Sequence, residues 1–306
     1  MQSAYIGKMM ELAQRDSNVL HILADSGTGY DEMFRRNFPE QIYNFGISEE
    51  SMVGAAAGMA TIGKIPFVYT AGAFLAYRAL EFIRDDICFQ NLNVKIVGMG
   101  SGLSWSSLGP THHTTEDVAV LRAIPNLRIL SPATPKQVCE AVELAYKLEG
   151  PVYIKIGMNK EKEFFSDDYK MEEGKNDIIA NGLDGVIYTT GSILEEVVKA
   201  GDMLAEEGCK MKIVNVSCMK PFDEQCLIED ATIFPSIFVV EEHNIHGGLG
   251  SIIAETVAYN GLGIKVVPIG LKDAFAEGYG THNRVRHING LDANGIFEAI
   301  RSNRDE

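Results

Sequence analysis

The stretch NFGISEESMVGAAAGMATIGKIPFVY, residues 44–69, contains one complete helix-to-strand unit. From Glu49 to Ile62, small and apolar residues recur at the spacing of a helix. The run Ile65–Tyr69 that follows is short, apolar and bounded by Gly and Lys on its amino side. The stretch therefore predicts a helix that packs closely on its neighbours, followed by a buried strand.

The same alternation continues on both sides of this unit. Further strand-like runs lie at Val19–Ala24, Val94–Met99, Arg128–Leu130 and Val152–Ile156. Helical segments are predicted at Phe74–Gln90 and Pro135–Leu148. The second of these opens with Thr134-Pro135, an N-cap residue followed by proline at the first helical position. Strands alternating with helices are typical of a parallel sheet covered by helices on both faces.

The second half of the chain repeats this pattern after a break. Residues Met158–Asn181 are charged and show no clear periodicity, which predicts a surface linker. Strands then follow at Gly185–Thr190, Met211–Val216, Ile237–Glu241 and Ile264–Pro268, with helices at Leu194–Glu207 and Ser251–Tyr259. A length of 306 residues suits two domains. We therefore expect two doubly wound α/β domains, over residues 1–175 and 182–306.

Composition and charge exclude several classes of protein. Hydrophobic residues make up 46% of the chain and charged residues 23%, the balance of a soluble protein with a substantial core. The net charge of -15 argues against binding to nucleic acids or anionic membranes, because either needs a basic face. The five cysteines form no metal-binding or disulfide pattern, and no apolar run reaches the roughly 18 residues of a membrane span. We expect a cytoplasmic protein with reduced thiols.

Two segments contain residues suited to chemistry. Glu49 and Glu50 open the first predicted helix, where acidic side chains also complement the helix dipole, so a solvated cap explains them as well. The segment SLGPTHHTTEDVAVLRAIPNLRIL, residues 107–130, places two histidines after a Gly-Pro turn. Adjacent histidines point different ways and no third ligand is near, which argues against a metal site. An imidazole in a cleft at the strand ends suits hydroxyl and oxyanion binding, and a histidine bonded to backbone is the structural alternative.

Taken together and in order, these segments resemble a known family. Four segments of the first half closely resemble the pyrimidine-binding domain of transketolases: GISEESM (46–52), TAGAFLAY (70–77), the GPTHH segment and GPVYIK (150–155). Three segments of the second half are similar to the carboxy-terminal domain of transketolase and deoxyxylulose-phosphate synthase: MKPFDE (219–224), VVEEHNIHGGLGS (239–251) and IGLKDAF (269–275). The resemblance implies a transferase (EC 2.2.1) that moves a two-carbon ketol unit with thiamine diphosphate as cofactor.

The resemblance also implies roles for particular residues. In this family a glutamate hydrogen-bonds the aminopyrimidine N1′ of the cofactor and favours the imino tautomer that removes the C2 proton. The family's G-[VI]-x-E pattern places this glutamate at Glu49. Phe74 and Tyr77 fall where the family stacks aromatic rings on the pyrimidine, although rings three apart on one helical face also suit a plain core. His112 would bind substrate oxygen atoms near the reacting carbon, and Asp25 matches a cofactor-proximal aspartate.

The family's diphosphate-binding half is missing from the sequence. Its signature is GDG followed some residues later by an asparagine, oxygen ligands that suit Mg²⁺ or Ca²⁺. This sequence contains no GDG, so no metal ligand is predicted in it. The resemblance therefore implies a separate amino-terminal subunit that contains the motif, in an α2β2 assembly with the cofactors at subunit interfaces.

The substrate end departs from the family pattern. Four positions lack the expected side chain: Leu108 replaces an aspartate, Gly100 replaces a histidine, and Gly157-Met158 and Gln2 replace arginines that grip the sugar phosphate. Arginine makes bidentate bonds to phosphate that methionine and glutamine cannot replace. Lys155, Lys160 or the partner could supply the missing charge. We infer that a substrate differs from the usual sugar phosphates, or that its anionic end is held differently.

Three other functions remain as alternatives. The β subunit of a 2-oxoacid dehydrogenase has the same two-domain layout, but its histidine loop normally reads HSQ, whereas GPTHH favours transketolase or a deoxyxylulose-phosphate synthase-like carboligase. A non-catalytic scaffold subunit is the alternative from another class.

The segment EEHNIHGG, residues 241–248, follows a strand and is predicted to form a turn and a subunit contact.

Overall fold

The computed structural model of the protein describes residues 1–25 and 29–304, with only the backbone of Tyr30. The strands of this part are β1 (Val19–Leu23), β2 (Ile42–Asn44), β3 (Ile65–Ala71), β4 (Lys95–Met99), β5 (Arg128–Leu130), β6 (Val152–Ile156), β7 (Asp177–Ala180), β8 (Gly185–Thr189), β9 (Met211–Asn215), β10 (Cys218–Lys220), β11 (Ser236–Asn244) and β12 (Lys265–Leu271). The α-helices are α1 (Gln2–Arg15), α2 (Gly29–Asn37), α3 (Glu49–Thr61), α4 (Leu80–Phe82), α5 (Asp117–Leu121), α6 (Pro135–Lys147), α7 (Leu194–Glu206), α8 (Glu224–Ala231), α9 (Leu249–Tyr259), α10 (His282–Ile288) and α11 (Ala293–Arg304).

The first domain is built on a seven-stranded sheet. Its strand order is β10-β5-β6-β4-β3-β1-β2, and every pair is parallel except β10 with β5. The chain moves from β1 to β2 on one side and then to β3 on the other, so the strand order reverses beside β1. In open α/β sheets the crevice at such a reversal, outside the carboxyl ends of the strands, is the usual ligand site.

The second domain has a five-stranded sheet of order β12-β11-β8-β9-β7, parallel except for β7. The prediction of two α/β domains is confirmed by these two sheets. The sequence placed the start of the second domain at residue 182, whereas β7 already pairs with β9 from Asp177 onward. Residues of the predicted linker therefore form an edge strand, which their charged pattern did not indicate.

The two domains pack on one continuous apolar core. Val118 and Tyr153 of the first domain belong to the same buried cluster as Val239 and Leu249 of the second. Strand β10 also crosses from the second half of the chain into the first sheet. The two sheets are therefore fixed relative to each other by burial and by backbone pairing.

The segment after β3 differs from the single helix predicted over Phe74–Gln90. It consists of a π-helical stretch Phe74–Arg78, the short α4, and a second π-helical stretch Ile83–Cys88. A π turn widens the helix by one residue and is frequent at functional sites. By contrast, the predicted cap at α6 is confirmed, because the Thr134 hydroxyl accepts a bond from the Gln137 amide. Among the described residues no helix is long and apolar enough to cross a membrane.

Candidate active site

A cleft of about 390 Å³ opens at the carboxyl edge of the first sheet. It lies where β1, β3, β4 and β6 end, the position expected for a ligand site in a doubly wound sheet. Its lining consists of Gln2, Ala24, Asp25, Ile47, Glu49, Thr70, Ala71, Phe74, Met99, Trp105, Leu108, His112 and Met158. The cleft thus brings together four of the predicted site residues: Asp25, Glu49, Phe74 and His112.

Glu49 is the first residue of α3 and is only 2% exposed. The small residues of α3, including Ala56 and Ala57, are buried and let the helix approach β3 closely. Its carboxylate accepts a hydrogen bond of 2.6 Å from Nη1 of Arg78. A buried carboxylate is costly unless it is paired, and Arg78 supplies the pairing cation. Glu50 shares the first turn of α3 but does not line the cleft.

Arg78 contacts two site residues at once. Besides its bond to Glu49, its guanidinium carbon lies 5.0 Å from the centroid of the Phe74 ring, within the range of a cation–π interaction. The side chain is 43% exposed, so it reaches the carboxylate from the solvent side. Nothing in the local sequence pattern singled out Arg78, because its contact with Glu49 joins two separate elements.

His112 projects into the cleft from the loop after Gly109-Pro110. Its ring packs edge-on to Phe74 at 5.1 Å and lies 6.2 Å from Trp105, measured between ring centroids. Its Nδ1 shares a hydrogen bond of 2.9 Å with the Thr111 hydroxyl, which orients the ring. Gly109 has φ +77, and a Cβ there would lie 2.3 Å from Tyr279, so the turn requires glycine.

Asp25 lies directly after β1 with φ 47, an uncommon conformation for a residue other than glycine. Its backbone amide donates to the Asn44 side chain at 3.1 Å, which connects the ends of β1 and β2. The side chain is exposed at the rim of the cleft. Asp25 thus adds a second carboxylate to the cleft beside that of Glu49.

Tyr77 does not line the cleft in this subunit. Its hydroxyl donates to Oε2 of Glu116 at 2.8 Å and accepts from the Glu116 amide at 3.0 Å. Burial, with added repulsion from Asp117 and Glu116, raises the pKa of Tyr77 well above its ordinary value, so the hydroxyl stays protonated. Tyr77 thereby fixes the π-helical stretch to the loop that follows the two histidines.

The second histidine, His113, faces away from the cleft. It is 3% exposed, and neither ring nitrogen has a hydrogen-bond partner in the described part of the chain. Burial lowers the pKa of His113, which keeps the ring neutral near pH 7. The two adjacent histidines therefore point in different directions, and only His112 reaches the cleft.

Comparison with known proteins agrees with this geometry. Residues 1–158 match the family model described as transketolase, pyrimidine binding domain, and residues 174–296 match the model described as transketolase, C-terminal domain. The chain belongs to the transketolase family. The predicted resemblance and the order of the two domains are confirmed.

Several relatives of the transketolase chain match it over nearly their whole length. It is 33% identical over 294 residues to a protein of Actinobacillus succinogenes named as one subunit of an apulose-4-phosphate transketolase, covering 96% of this chain and 94% of the relative. It is 34% identical to a putative transketolase C-terminal section of Methanocaldococcus jannaschii, covering 98% and 95%. A solved split-gene transketolase, described as an inactive β4 tetramer, superposes with a TM-score of 0.91 at 35% identity, covering 98% and 97%.

In the segment Glu241–Gly248 of this transketolase chain, the predicted turn is limited to residues 245–247. Strand β11 continues to Asn244, and both glutamates are buried. Glu241 accepts bonds from the amides of Leu249 and Gly250, at 2.7 and 2.8 Å, and so caps α9. The sequence predicted that the strand ends at Glu241, the first charged residue. The two glutamates are buried because they bond to residues that lie further along the chain.

Glu242 forms a buried cluster with two residues of α10. Its Oε1 accepts from Nε2 of His282 at 2.8 Å and from Nε of Arg286, and its Oε2 accepts from the Leu103 amide at 3.3 Å. Burial alone would raise the pKa of Glu242, but Arg286 and His282 hold it well below its ordinary value. The cluster joins β11, α10 and the loop after β4, and it stands apart from the cleft.

Lys155, a candidate anion-binding residue, is also directed away from the cleft. Its ammonium donates to Oδ1 of Asp117 at 2.5 Å and to the Thr114 carbonyl at 3.0 Å. Asp117 in turn accepts at 2.7 Å from the Tyr153 hydroxyl. This ion pair lies under the loop with the two histidines, so Lys155 supports the site from beneath.

Proposed function

We propose that this chain is the carboxy-terminal subunit of a split transketolase that transfers a two-carbon ketol unit from a ketose donor to an aldose acceptor. The main support is the cleft, where the buried Glu49 carboxylate, the Phe74 ring and the His112 imidazole line one cavity at the carboxyl edge of the sheet. Relatives of matching length, named as one transketolase subunit or as a carboxy-terminal section, support a separate amino-terminal partner.

The residues of the cleft fit one half of thiamine diphosphate. A carboxylate suits the ring nitrogen of the aminopyrimidine, and Phe74 offers an aromatic face for stacking. The diphosphate half has no counterpart, because no Lys or Arg lines the described cleft and no described group of His, Cys, Asp or Glu could hold a metal ion. We therefore assign the diphosphate, with its Mg²⁺ or Ca²⁺, to the GDG-containing partner in an α2β2 assembly.

Each side chain of the cleft has a proposed task. When bound, thiamine diphosphate supplies the nucleophilic carbon that attacks the ketose carbonyl. Glu49 holds or donates the proton at the pyrimidine nitrogen, in a pocket that excludes water around its carboxylate. His112 donates a hydrogen bond to substrate oxygen and stabilises the charge that develops there. Asp25 would bind the cofactor at the rim of the cleft.

Tyr77 is proposed to bind the cofactor from the edge of the cleft. Its ring is 38% exposed and lies on the same π-helical stretch as Phe74. Its hydroxyl bonds to Glu116 hold this stretch against the histidine loop. Cofactor contact by Tyr77 would therefore be completed when the partner subunit covers this surface.

The scattered, unpaired cysteines support a location in the cytoplasm.

The test is co-expression with the amino-terminal subunit, followed by measurement of thiamine diphosphate binding and of ketose donor cleavage. We expect the wild-type complex to be active and Glu49→Gln to lose activity about a hundredfold or more, the range typical of a catalytic proton-transfer group. Glu50→Gln is the matched control, because Glu50 shares the same helical turn outside the cleft. Equal turnover by the wild type and Glu49→Gln would refute the proposed role of Glu49.

A further inference from the structure

We infer that the cleft selects substrates whose outer end is uncharged, that is, aldoses and ketoses with no phosphate, sulfonate or carboxylate on the carbon furthest from the reacting carbonyl. This inference rests on the proposed function, since it names the substrate class of that same site. It also separates this chain from its Actinobacillus succinogenes relative, which is named for a phosphorylated sugar.

Part of the cleft lining is apolar. It is formed by Met99, Trp105, Leu108 and Met158, and no Lys or Arg is among the described lining residues. A phosphate or sulfonate placed against these side chains gives up part of its hydration and gains no charge-assisted hydrogen bond from them. A hydroxymethyl or methyl group loses far less, because its apolar surface is buried against apolar side chains.

Two cations around the site are paired with carboxylates in the chain alone. The guanidinium of Arg78 donates to Glu49 at 2.6 Å, and the ammonium of Lys155 donates to Asp117 at 2.5 Å beneath the histidine loop. Lys160 lines a separate polar groove of about 380 Å³, together with Glu161 and other residues. The two lysines that could have replaced the missing arginines therefore do not reach the cleft.

The N-terminus of helix α3 does not provide an anion-binding site either. A helix N-terminus favours an anion, and α3 begins at the cleft. Its first turn, however, carries the carboxylates of Glu49 and Glu50, and Asp25 adds another at the rim. The net charge of -15 on the whole chain also disfavours the approach of an anion.

The position of Trp105 leaves no space for a side chain at position 100. A Cβ added to Gly100 would lie 2.0 Å from the indole nitrogen of Trp105, so the indole fills the space that a side chain at position 100 would need. The indole nitrogen has no hydrogen-bond partner in the described structure. The ring therefore takes the place of a side chain at the end of β4, and the only polar group it offers there is a neutral N–H donor.

The first experiment compares matched acceptors in the complex with the amino-terminal subunit, using erythrulose as the uncharged donor. We expect kcat/KM for erythrose to exceed that for erythrose 4-phosphate by about tenfold or more, the range expected when one polar group is left without its hydrogen bond. Met158→Arg places a guanidinium at the end of β6 and should move this ratio about tenfold towards the phosphate. Leu183→Arg, which adds the same charge on an exposed loop of the second domain, is the control and should not move the ratio. A wild-type ratio below one would overturn the inference.

The second measurement does not depend on turnover. Trp105 is the only tryptophan of the chain, so the fluorescence change that disappears in Trp105→Phe reports binding in the cleft. We expect erythritol to produce this change at lower concentration than erythritol 4-phosphate, and the reverse order would overturn the inference. If the complex prefers erythritol but shows no ketol transfer, the proposed function is refuted and this inference is supported. If it catalyses ketol transfer but prefers the phosphate, the proposed function is supported and this inference is refuted.

Discussion

At the scale of residues, the environment of Glu49 is set by its buried position and by its ion pair with Arg78. The carboxylate is almost completely buried, and its described cation is the half-exposed Arg78. The same guanidinium lies over the Phe74 ring. Arg78 thus bonds to the carboxylate and packs on the aromatic face. These are the two contacts that the proposed site would make with the pyrimidine of the cofactor.

This arrangement predicts that Arg78 competes with the cofactor. Replacement by Met should lower the dissociation constant of thiamine diphosphate up to about fivefold in the complex, because a half-exposed ion pair contributes about 1 kcal/mol or less. The measurement is a cofactor titration of the wild-type and Arg78→Met complexes. Arg84→Met, which removes an exposed arginine paired with Asp85, is the control. Weaker cofactor binding by Arg78→Met would show that Arg78 supports the site and does not compete for it.

At the scale of elements, the two domains are joined by buried polar groups as well as by apolar packing. Glu242 on β11 connects α10 with the loop after β4. Arg286, its partner, is 5% exposed and also donates to the Ser192 carbonyl at 3.0 Å. A buried arginine that loses its carboxylate remains as an uncompensated charge, so this cluster is sensitive to the loss of either partner.

We predict that Glu242→Gln lowers the free energy of unfolding by about 3 kcal/mol at pH 7, the cost of breaking a buried ion pair. Since the pKa of Glu242 lies below its ordinary value of 4.5, its contribution is full above that pH and is lost as the pH falls further. Urea unfolding at pH 7 and at pH 3.5 (about one unit below the ordinary pKa) measures both effects, and the variant should lose less stability between them. Glu255→Gln, which breaks the more exposed pair with Arg122, should cost about 1 kcal/mol or less. Similar losses from the two variants would contradict the role of Glu242.

The elements themselves show where sequence reasoning succeeds. Apolar runs and caps predicted the central strands and α6, because these signals are local. Strands β2, β7 and β10 were missed, since each is short and is stabilised mainly by pairing with another strand. Four residues of the cleft, Asp25, Glu49, Phe74 and His112, were predicted by motif. The Glu49–Arg78 pair and the position of Trp105 against Gly100 depend on the folded geometry.

At the scale of the whole molecule, the proposed function gives the chain one half of a cofactor site. Its cleft offers Glu49 and Phe74 but no cation for a diphosphate among the described lining residues. A solved relative of matching length is described as an inactive β4 tetramer, and the proposed partner subunit would give this chain the second half of the site. The acidic net charge further opposes a diphosphate in the absence of a metal-binding partner.

The isolated chain should therefore bind thiamine diphosphate with Mg²⁺ weakly or not at all. Calorimetric titration of the chain alone and of the complex measures the difference, which we expect to exceed about a hundredfold, because the proposed partner would supply the charge-assisted bonds to the diphosphate. Comparable affinity of the chain alone and the complex would show that it holds the diphosphate itself.

The central claim is that Glu49 activates the cofactor, and the rate of deuterium exchange at C2 of bound thiamine diphosphate tests it most directly. The measurement uses the complex with the amino-terminal subunit, saturated with cofactor and without substrate, so that neither donor nor acceptor affects the result. We predict that Glu49→Gln slows this exchange about a hundredfold or more while Glu50→Gln leaves it unchanged. Equal exchange rates in the wild-type and Glu49→Gln complexes, with cofactor bound in both, would contradict the account.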